Sequence, residues 1–258
     1  MNAEQQARAY PPLHRGAVAA RLLGGGLLLA LALSLVGWFI VRVATPTALT
    51  RWENGVNTGL ADLRTPTINT LTHIGSSLAD TVTCIVVLAV MVVVLRVWLG
   101  RWRESWTLFA AIVGELLVFL IVTAVVNRPR PGVPHLDVAP PTSSFPSGHT
   151  AAAVALYGCL AVIFLRQLRP QWLARTVATV LFVIPVVVAA TRLYRGMHHP
   201  TDVVFGALGG GLWLALVLVT LLPGSQVDDG LPKLLPAEAA HDPDEVDVAT
   251  RGAPRNGT

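Results

Sequence analysis

Residues 176–222 read TVATVLFVIPVVVAA, then TRLYRGMHHPTD, then VVFGALGGGLWLALVLVTLL. Two apolar runs thus enclose twelve residues that hold two arginines, two histidines and an aspartate. The second run has 20 uncharged residues, about what a helix needs to cross a bilayer. Because the runs are continuously apolar and do not alternate, they read as helices and not as barrel strands. Charge is costly inside or beside a bilayer, so the cluster between them is a functional segment by default.

The rest of the 258-residue chain repeats this pattern. It is 53% hydrophobic and only 13% charged, with mean hydropathy +0.60, whereas soluble domains carry about a quarter charged residues. Apolar runs at 22–44, 74–95, 107–126, 149–165, 176–190 and 203–222 predict an all-α, polytopic membrane protein with six transmembrane helices in a bundle. The first run is longer than a signal-peptide core and no cleavage site follows it, so it reads as a retained span. Residues 45–72 include Trp52, Asn54, Asp62, Arg64 and Pro66 and are too polar to cross; short interfacial helices are expected there. Pro185 is expected to kink the fifth span, and Gly206, Gly209, Gly210 and Gly211 to let the sixth pack closely. Residues 1–21 read as a cytoplasmic N-terminal segment, 22–222 as the membrane domain and 223–258 as a disordered acidic cytoplasmic tail.

Net charge is +4, unevenly placed. The tail after Leu222 holds seven acids against Lys233, Arg251 and Arg255, which leaves 16 basic and 8 acidic residues in the body. A basic body suits anionic headgroups and phosphate substrates. No basic patch is interleaved with exposed aromatics, so nucleic acid is not an expected partner. Arginine clusters at the N-terminus and in the second-to-third and fourth-to-fifth loops place those segments in the cytoplasm, with both termini there and the other three loops outside. Trp98, Trp102 and Trp106 fit an interfacial aromatic belt. Cys84 and Cys159 lie in apolar runs and read as small core residues, not a disulfide or thiolate site. Glu115, inside the third span, is expected to pair with an arginine or to be protonated.

Three polar segments fall on one membrane face. They are Asn127-Arg128-Pro129-Arg130-Pro131, Phe145-Pro146-Ser147-Gly148-His149-Thr150, and residues 191–202. Ser147-Gly148-His149 opens a helix, where free N–H groups and the dipole attract anions; Gly148 permits close approach and Ser147 adds a hydroxyl. Arg130 and Arg192 can fork onto phosphate oxygens. His198 and Asp202 are four apart and face each other if helical, so that Asp202 can fix the imidazole tautomer. His199 reads as a neighbour of the site more than a participant.

These segments resemble the type-2 phosphatidic acid phosphatase family, which includes the vanadium haloperoxidases. Its pattern is Lys-x6-Arg-Pro, Pro-Ser-Gly-His and Ser-Arg-x5-His-x3-Asp. Here the matches are Arg130-Pro131, Pro146-Ser147-Gly148-His149, and Arg192, His198 and Asp202, with Thr191 for the serine. The resemblance covers roughly residues 65–222. The family lysine falls at Thr123, and Lys233 is the only lysine in the chain. Arg128 and Arg195 are the candidates to supply the missing charge.

The resemblance implies a phosphohistidine mechanism without metal or other cofactor. His198 is the nucleophile, His149 the acid and then the base, Asp202 the orienting residue. Arg130, Arg192, Ser147 and Gly148 hold the phosphoryl group. It implies a lipid phosphate or diphosphate in the outer leaflet of a bacterial plasma membrane: undecaprenyl diphosphate first, on family analogy, then phosphatidylglycerol phosphate or phosphatidate. A lipid phosphotransferase with the same residues and a non-catalytic polyprenyl-lipid binder or transporter are the rival expectations. Oligomeric state has no signature in the chain.

Overall fold

The structure, a computed structural model, describes residues 15–44 and 47–222. The expected acidic tail at 223–258 and most of the N-terminal segment at 1–21 lie outside the described residues. Eight helices follow in order: α1 Arg15–Arg42, α2 Ala48–Asp62, α3 Pro66–Ser77, α4 Thr81–Leu99, α5 Arg103–Val125, α6 Gly148–Gln167, α7 Gln171–Tyr194 and α8 Pro200–Leu221. Six of them, α1 and α4 to α8, are long and apolar enough to cross a membrane.

The helix boundaries differ from the hydropathy reading where polar groups intervene. The second span does not begin at residue 74. Pro66 at the first turn and the Thr65 side chain, which accepts the Ile68 N–H at 3.3 Å, start α3 as a separate helix. The crossing helix α4 begins only at Thr81, with Asp80 at its N-cap position. At the other extreme, α7 continues past its apolar window to Tyr194, so Arg192 belongs to a helical last turn and not to a loop. Pro185 lies inside α7, which runs through it. The first helix starts at Arg15, within the segment expected to precede the span.

The most buried span is α6, which packs against α4, α5, α7 and α8. Inside lipid there is no hydrophobic force between helices, so close packing and hydrogen bonds must hold them. The sequence supplies this through small residues. A Cβ on Gly206 would lie 2.5 Å from the Ser147 carbonyl oxygen, and one on Gly210 would lie 2.6 Å from that of Ala151. These two glycines of α8 therefore set its register against the start of α6. Large apolar side chains such as Leu31, Val86, Leu116 and Val186 are exposed to what would be lipid.

The alternating helices bring the α1, α5 and α7 C-termini and the α4, α6 and α8 N-termini to one end, joined there by α2 and α3. At the opposite end Gly100, with φ +67°, closes α4 in the left-handed conformation. Arg103 and Arg166 there donate to the carbonyls of Leu221 (2.5 Å) and Leu222 (2.6 Å), and Arg101 pairs with Glu104. Trp98, Trp102 and Trp106 are exposed at that end, and Arg96 lies 5.3 Å from the Trp102 ring. Cys84 and Cys159 are buried and unbonded to each other. No arginine reaches Glu115: it is buried and, among the described residues, makes no hydrogen bond or ion pair. It lines a small cavity with Leu33, Gly209, Gly210 and Trp213.

Candidate active site

The segment between α7 and α8 is a tight turn locked from several sides. Gly196 adopts φ +72°, and a Cβ there would lie 2.8 Å from Val133 and 2.9 Å from Arg64. Arg64 itself donates to the carbonyl of Tyr194 and, at 2.7 Å, to that of Pro134, tying the proline-rich loop to the turn. Pro200 then opens α8, and Asp202, at its third position, accepts the His199 N–H at 2.8 Å. This short chain of constraints leaves His198 in one place.

His198 is buried, and its Nδ1 lies 2.8 Å from the Ser144 carbonyl oxygen. A carbonyl can only accept, so Nδ1 carries the proton and Nε2 keeps its lone pair. Burial, then the charges of Arg192 and Arg130, hold the His198 pKa well below the ordinary histidine value, so the ring is neutral. Asp202 does not play the part expected of it. Its carboxylate is 3.9 Å from Nδ1, outside hydrogen-bond reach. Instead it accepts the Ser144 hydroxyl, the His199 N–H and Arg128. Asp202 thus positions Ser144, and the Ser144 carbonyl orients the ring.

His149, in the first turn of α6, is held from another helix: its Nε2 lies 2.9 Å from an Asp80 oxygen. Asp80 sits at an N-cap position yet makes no capping bond with its side chain. Its carboxylate is given to the histidine.

Two arginines bring charge to the same place. Arg130 donates from Nη1 to the carbonyl of Met197, the residue before His198, at 2.7 Å. Arg192 donates from Nη1 to Ser76 at 2.8 Å and Asp137 at 2.9 Å. In each the Nε–H is buried and makes no hydrogen bond among the described residues. A buried unsatisfied donor on a cation is costly, and an anionic ligand bound there would supply the acceptors.

The remaining expected phosphate ligands are engaged elsewhere. Arg128 does not face a ligand: its Nη2 donates to Glu53 at 2.6 Å, and its Nη1 donates to Asp202 and, at 2.7 Å, to Thr201. Arg195 is likewise taken up, forking onto both Asp137 oxygens at 2.6 and 2.8 Å and donating to Leu136, Asn69 and Thr72. Neither arginine therefore replaces the absent lysine, because each already has carboxylate and carbonyl or hydroxyl partners. The Ser147 hydroxyl is buried against that of Thr150 at 2.9 Å, and the Ser147 N–H donates to the Asp202 carbonyl. What α6 offers a ligand is the free N–H groups of its first turn, Gly148 among them, where a Cβ would strike the Phe119 ring at 2.8 Å. Thr123, at the lysine's place, has a buried hydroxyl without a partner.

Several contributing residues escaped the sequence reading: Glu53, Asp80, Asp137 and Ser144. Glu53 is wholly buried on α2, accepting from Arg128 and from both the N–H and hydroxyl of Thr201. One signal was available for it. Glu53 and Asn57 are one turn apart on α2 and are its only buried residues, so the helix turns a polar stripe inward.

The chain is similar to known proteins in sequence and in fold. The PAP2 superfamily model matches residues 104–223. Phosphatidylglycerophosphatase B of Bacillus subtilis (strain 168) is 28% identical over 179 residues, covering 67% of this chain and 75% of that protein. The crystal structure of the first transmembrane PAP2 type phosphatidylglycerolphosphate phosphatase from Bacillus subtilis has a TM-score of 0.66 at 20% identity, covering 80% of this chain and 98% of that one. Aquifex aeolicus LpxE has a TM-score of 0.50 at 22% identity, covering 64% and 93%. At such identities the two structures speak for the fold alone. The family match runs from the start of α5 through the end of α8 and takes in all three polar segments, so over these residues the chain is similar to the PAP2 superfamily.

Proposed function

We propose that this protein hydrolyses a lipid phosphate by way of a phosphohistidine. The observation that carries the reading is the pairing of a neutral His198, its Nε2 free, with two buried guanidinium groups whose Nε–H donors lack acceptors. His198 Nε2 attacks phosphorus, and the bond from phosphorus to the lipid oxygen breaks as the N–P bond forms. His149, kept in place by Asp80, protonates the leaving oxygen. In the second half the same ring takes a proton from water, which attacks phosphorus and releases inorganic phosphate and His198. Arg130, Arg192 and the first N–H groups of α6 stabilise charge on the transferring group.

The likeness to Bacillus phosphatidylglycerophosphatase B favours phosphatidylglycerol phosphate over undecaprenyl diphosphate as the substrate. The charge distribution in the loops favours a site on the extracytoplasmic side, with both termini in the cytoplasm. Residues 22–222 would be the catalytic domain, carrying the site without the tail.

The test is phosphate release from phosphatidylglycerol phosphate, phosphatidate and undecaprenyl diphosphate by the purified protein. His198→Ala is expected to lower kcat by at least about 10⁴-fold, and His149→Ala by about 10²-fold or more. Acid-labile phosphate on the wild-type protein, absent from His198→Ala, would mark the intermediate. Activity that survives both substitutions would end the reading, and a protein that binds these lipids without releasing phosphate would be the non-catalytic rival.

A further inference from the structure

The proline-rich loop between α5 and α6 places a carboxylate against a phosphate-binding arginine. Asp137 Oδ2 accepts from Arg192 Nη1 at 2.9 Å and from Arg195 Nε at 2.8 Å, while Oδ1 accepts from Arg195 Nη2 at 2.6 Å. Burial of the Asp137 carboxyl opposes its ionisation, but the Arg195 hydrogen bond and the charges of Arg192, Arg195 and His73 outweigh it. Its pKa lies below the ordinary carboxylate range. It is therefore an anion at any pH where the enzyme would work.

The two arginines it touches are not alike. Arg195 has carbonyl and hydroxyl partners besides Asp137, from Leu136, Asn69 and Thr72. Among the described residues the Arg192 side chain has only the Ser76 hydroxyl besides Asp137, and its Nε–H has no partner. A phosphoryl oxygen arriving at Arg192 would have to share its guanidinium with Asp137 and would be repelled by it. Past Asp137 the loop opens to solvent. Val138, the next residue, is 95% exposed, and residues 126–147 contain no helix. A backbone hydrogen bond from the Leu136 N–H to the Arg195 carbonyl, 3.1 Å, holds the carboxylate's base.

We infer that Asp137 is a built-in competitor for the phosphoryl group: it occupies Arg192 in the free enzyme, yields when a phosphate is bound, and returns to expel inorganic phosphate. The inference rests on the phosphatase reading above and adds a control of ligand affinity to it. Asp137 is not a catalytic residue, since it acts through Arg192 and touches no reacting atom.

The probe is inorganic phosphate, with binding followed by calorimetry and product inhibition by phosphate release. Asp137→Asn keeps an oxygen for Arg195 but removes the charge. Phosphate is expected to bind it about tenfold more tightly than wild type, with a matching fall in the inhibition constant, because one anion no longer competes. A merely structural role predicts the opposite sign, since a loosened Arg192 would bind phosphate more weakly. Wild-type protein supplies the second measurement: hydrogen exchange in residues 132–142 should rise when phosphate saturates the site. Unchanged or weaker binding in Asp137→Asn, or exchange in the loop that phosphate leaves alone or slows, overturns the inference. A wild type that neither binds inorganic phosphate nor releases it from lipid would remove the phosphatase reading, and this one with it. Binding by the wild type with no gain in Asp137→Asn removes this one alone.

Discussion

Arginine is used at both ends of the bundle, for opposite purposes. Away from the site, Arg103 and Arg166 donate to the carbonyls of Leu221 and Leu222 at the end of α8, and Arg101 forks onto Glu104 three residues on. These bonds close a helix end and a turn. At the site end Arg128, Arg192 and Arg195 find carboxylates brought from far along the chain, Arg130 rests on the Met197 carbonyl, and two guanidinium groups keep a buried Nε–H without an acceptor among the described residues. Charge that finishes a helix has its partner in the backbone beside it. Of the two arginines with an unused donor, Arg192 is held by Asp137 and Ser76 and Arg130 by the Met197 carbonyl, while Glu53 and Asp202 fix Arg128 behind them.

The largest expected effect tests that holding. Glu53 and Arg128 form a buried ion pair, with Asp202 on the other guanidinium nitrogen. Arg128→Ala leaves two buried carboxylates without the cation they share. A loss of about 3–5 kcal/mol is expected, since removing one partner strands the other's charge. Thermal unfolding in detergent measures it, and activity should fall with the fold. If Arg128→Ala is as stable as wild type yet binds phosphate poorly, Arg128 is a ligand and the division between holding and binding arginines fails.

Arg130→Met should show the reverse balance. Arg130 is fixed by one bond to the Met197 carbonyl, so stability should change little. Loss of transition-state donors predicts a fall in kcat/KM of about 10²–10³-fold. The pH profile adds a sign. On the proposed mechanism His198 attacks as the neutral ring, and burial with the charges of Arg192 and Arg130 holds its pKa down. Removing Arg130 relieves one of those charges, so the His198 pKa rises and activity is lost at higher pH as the medium is acidified. An acid limb that stays where it was would separate Arg130 from His198.

A smaller loss is expected at Asp80. Its carboxylate is half exposed and orients His149 through one hydrogen bond. Asp80→Asn should lower kcat about tenfold with KM little changed, because a tilted acid affects chemistry more than binding. A change in KM alone would make Asp80 a surface residue that meets the lipid headgroup.

Much of the bundle was legible because hydropathy and arginine placement depend on local sequence. The six spans and the convergence of Arg130, His149 and His198 follow from run lengths and an alternating chain. Residues such as Glu53, Asp80 and Asp137 were not read as site residues, since each meets its partner at least 55 residues away. The reading of Asp202 failed for a related reason. Spacing of four puts it near His198, but the first turn of α8 directs its carboxylate to the His199 N–H, and Ser144 takes the ring. Capping chemistry decided the geometry that spacing left open.

The smallest effect belongs to the far end, and it is the control on the rest. Arg166 lies in the last turn of α6 and donates to the Leu222 carbonyl just past α8, at 2.6 Å. It therefore does two things: it favours the negative end of its own helix dipole and satisfies a carbonyl that α8 cannot. Arg166→Gln keeps a donor but shortens it and removes the charge, so about 1 kcal/mol of stability should be lost. The kcat/KM and the phosphate inhibition constant should stay at wild-type values, because the span of α6 separates Arg166 from His149. A drop in activity without a drop in stability would mean that α6 transmits strain from one end to the other. The arginines at its two ends would then form one coupled system, and the separate purposes assigned to them would no longer stand.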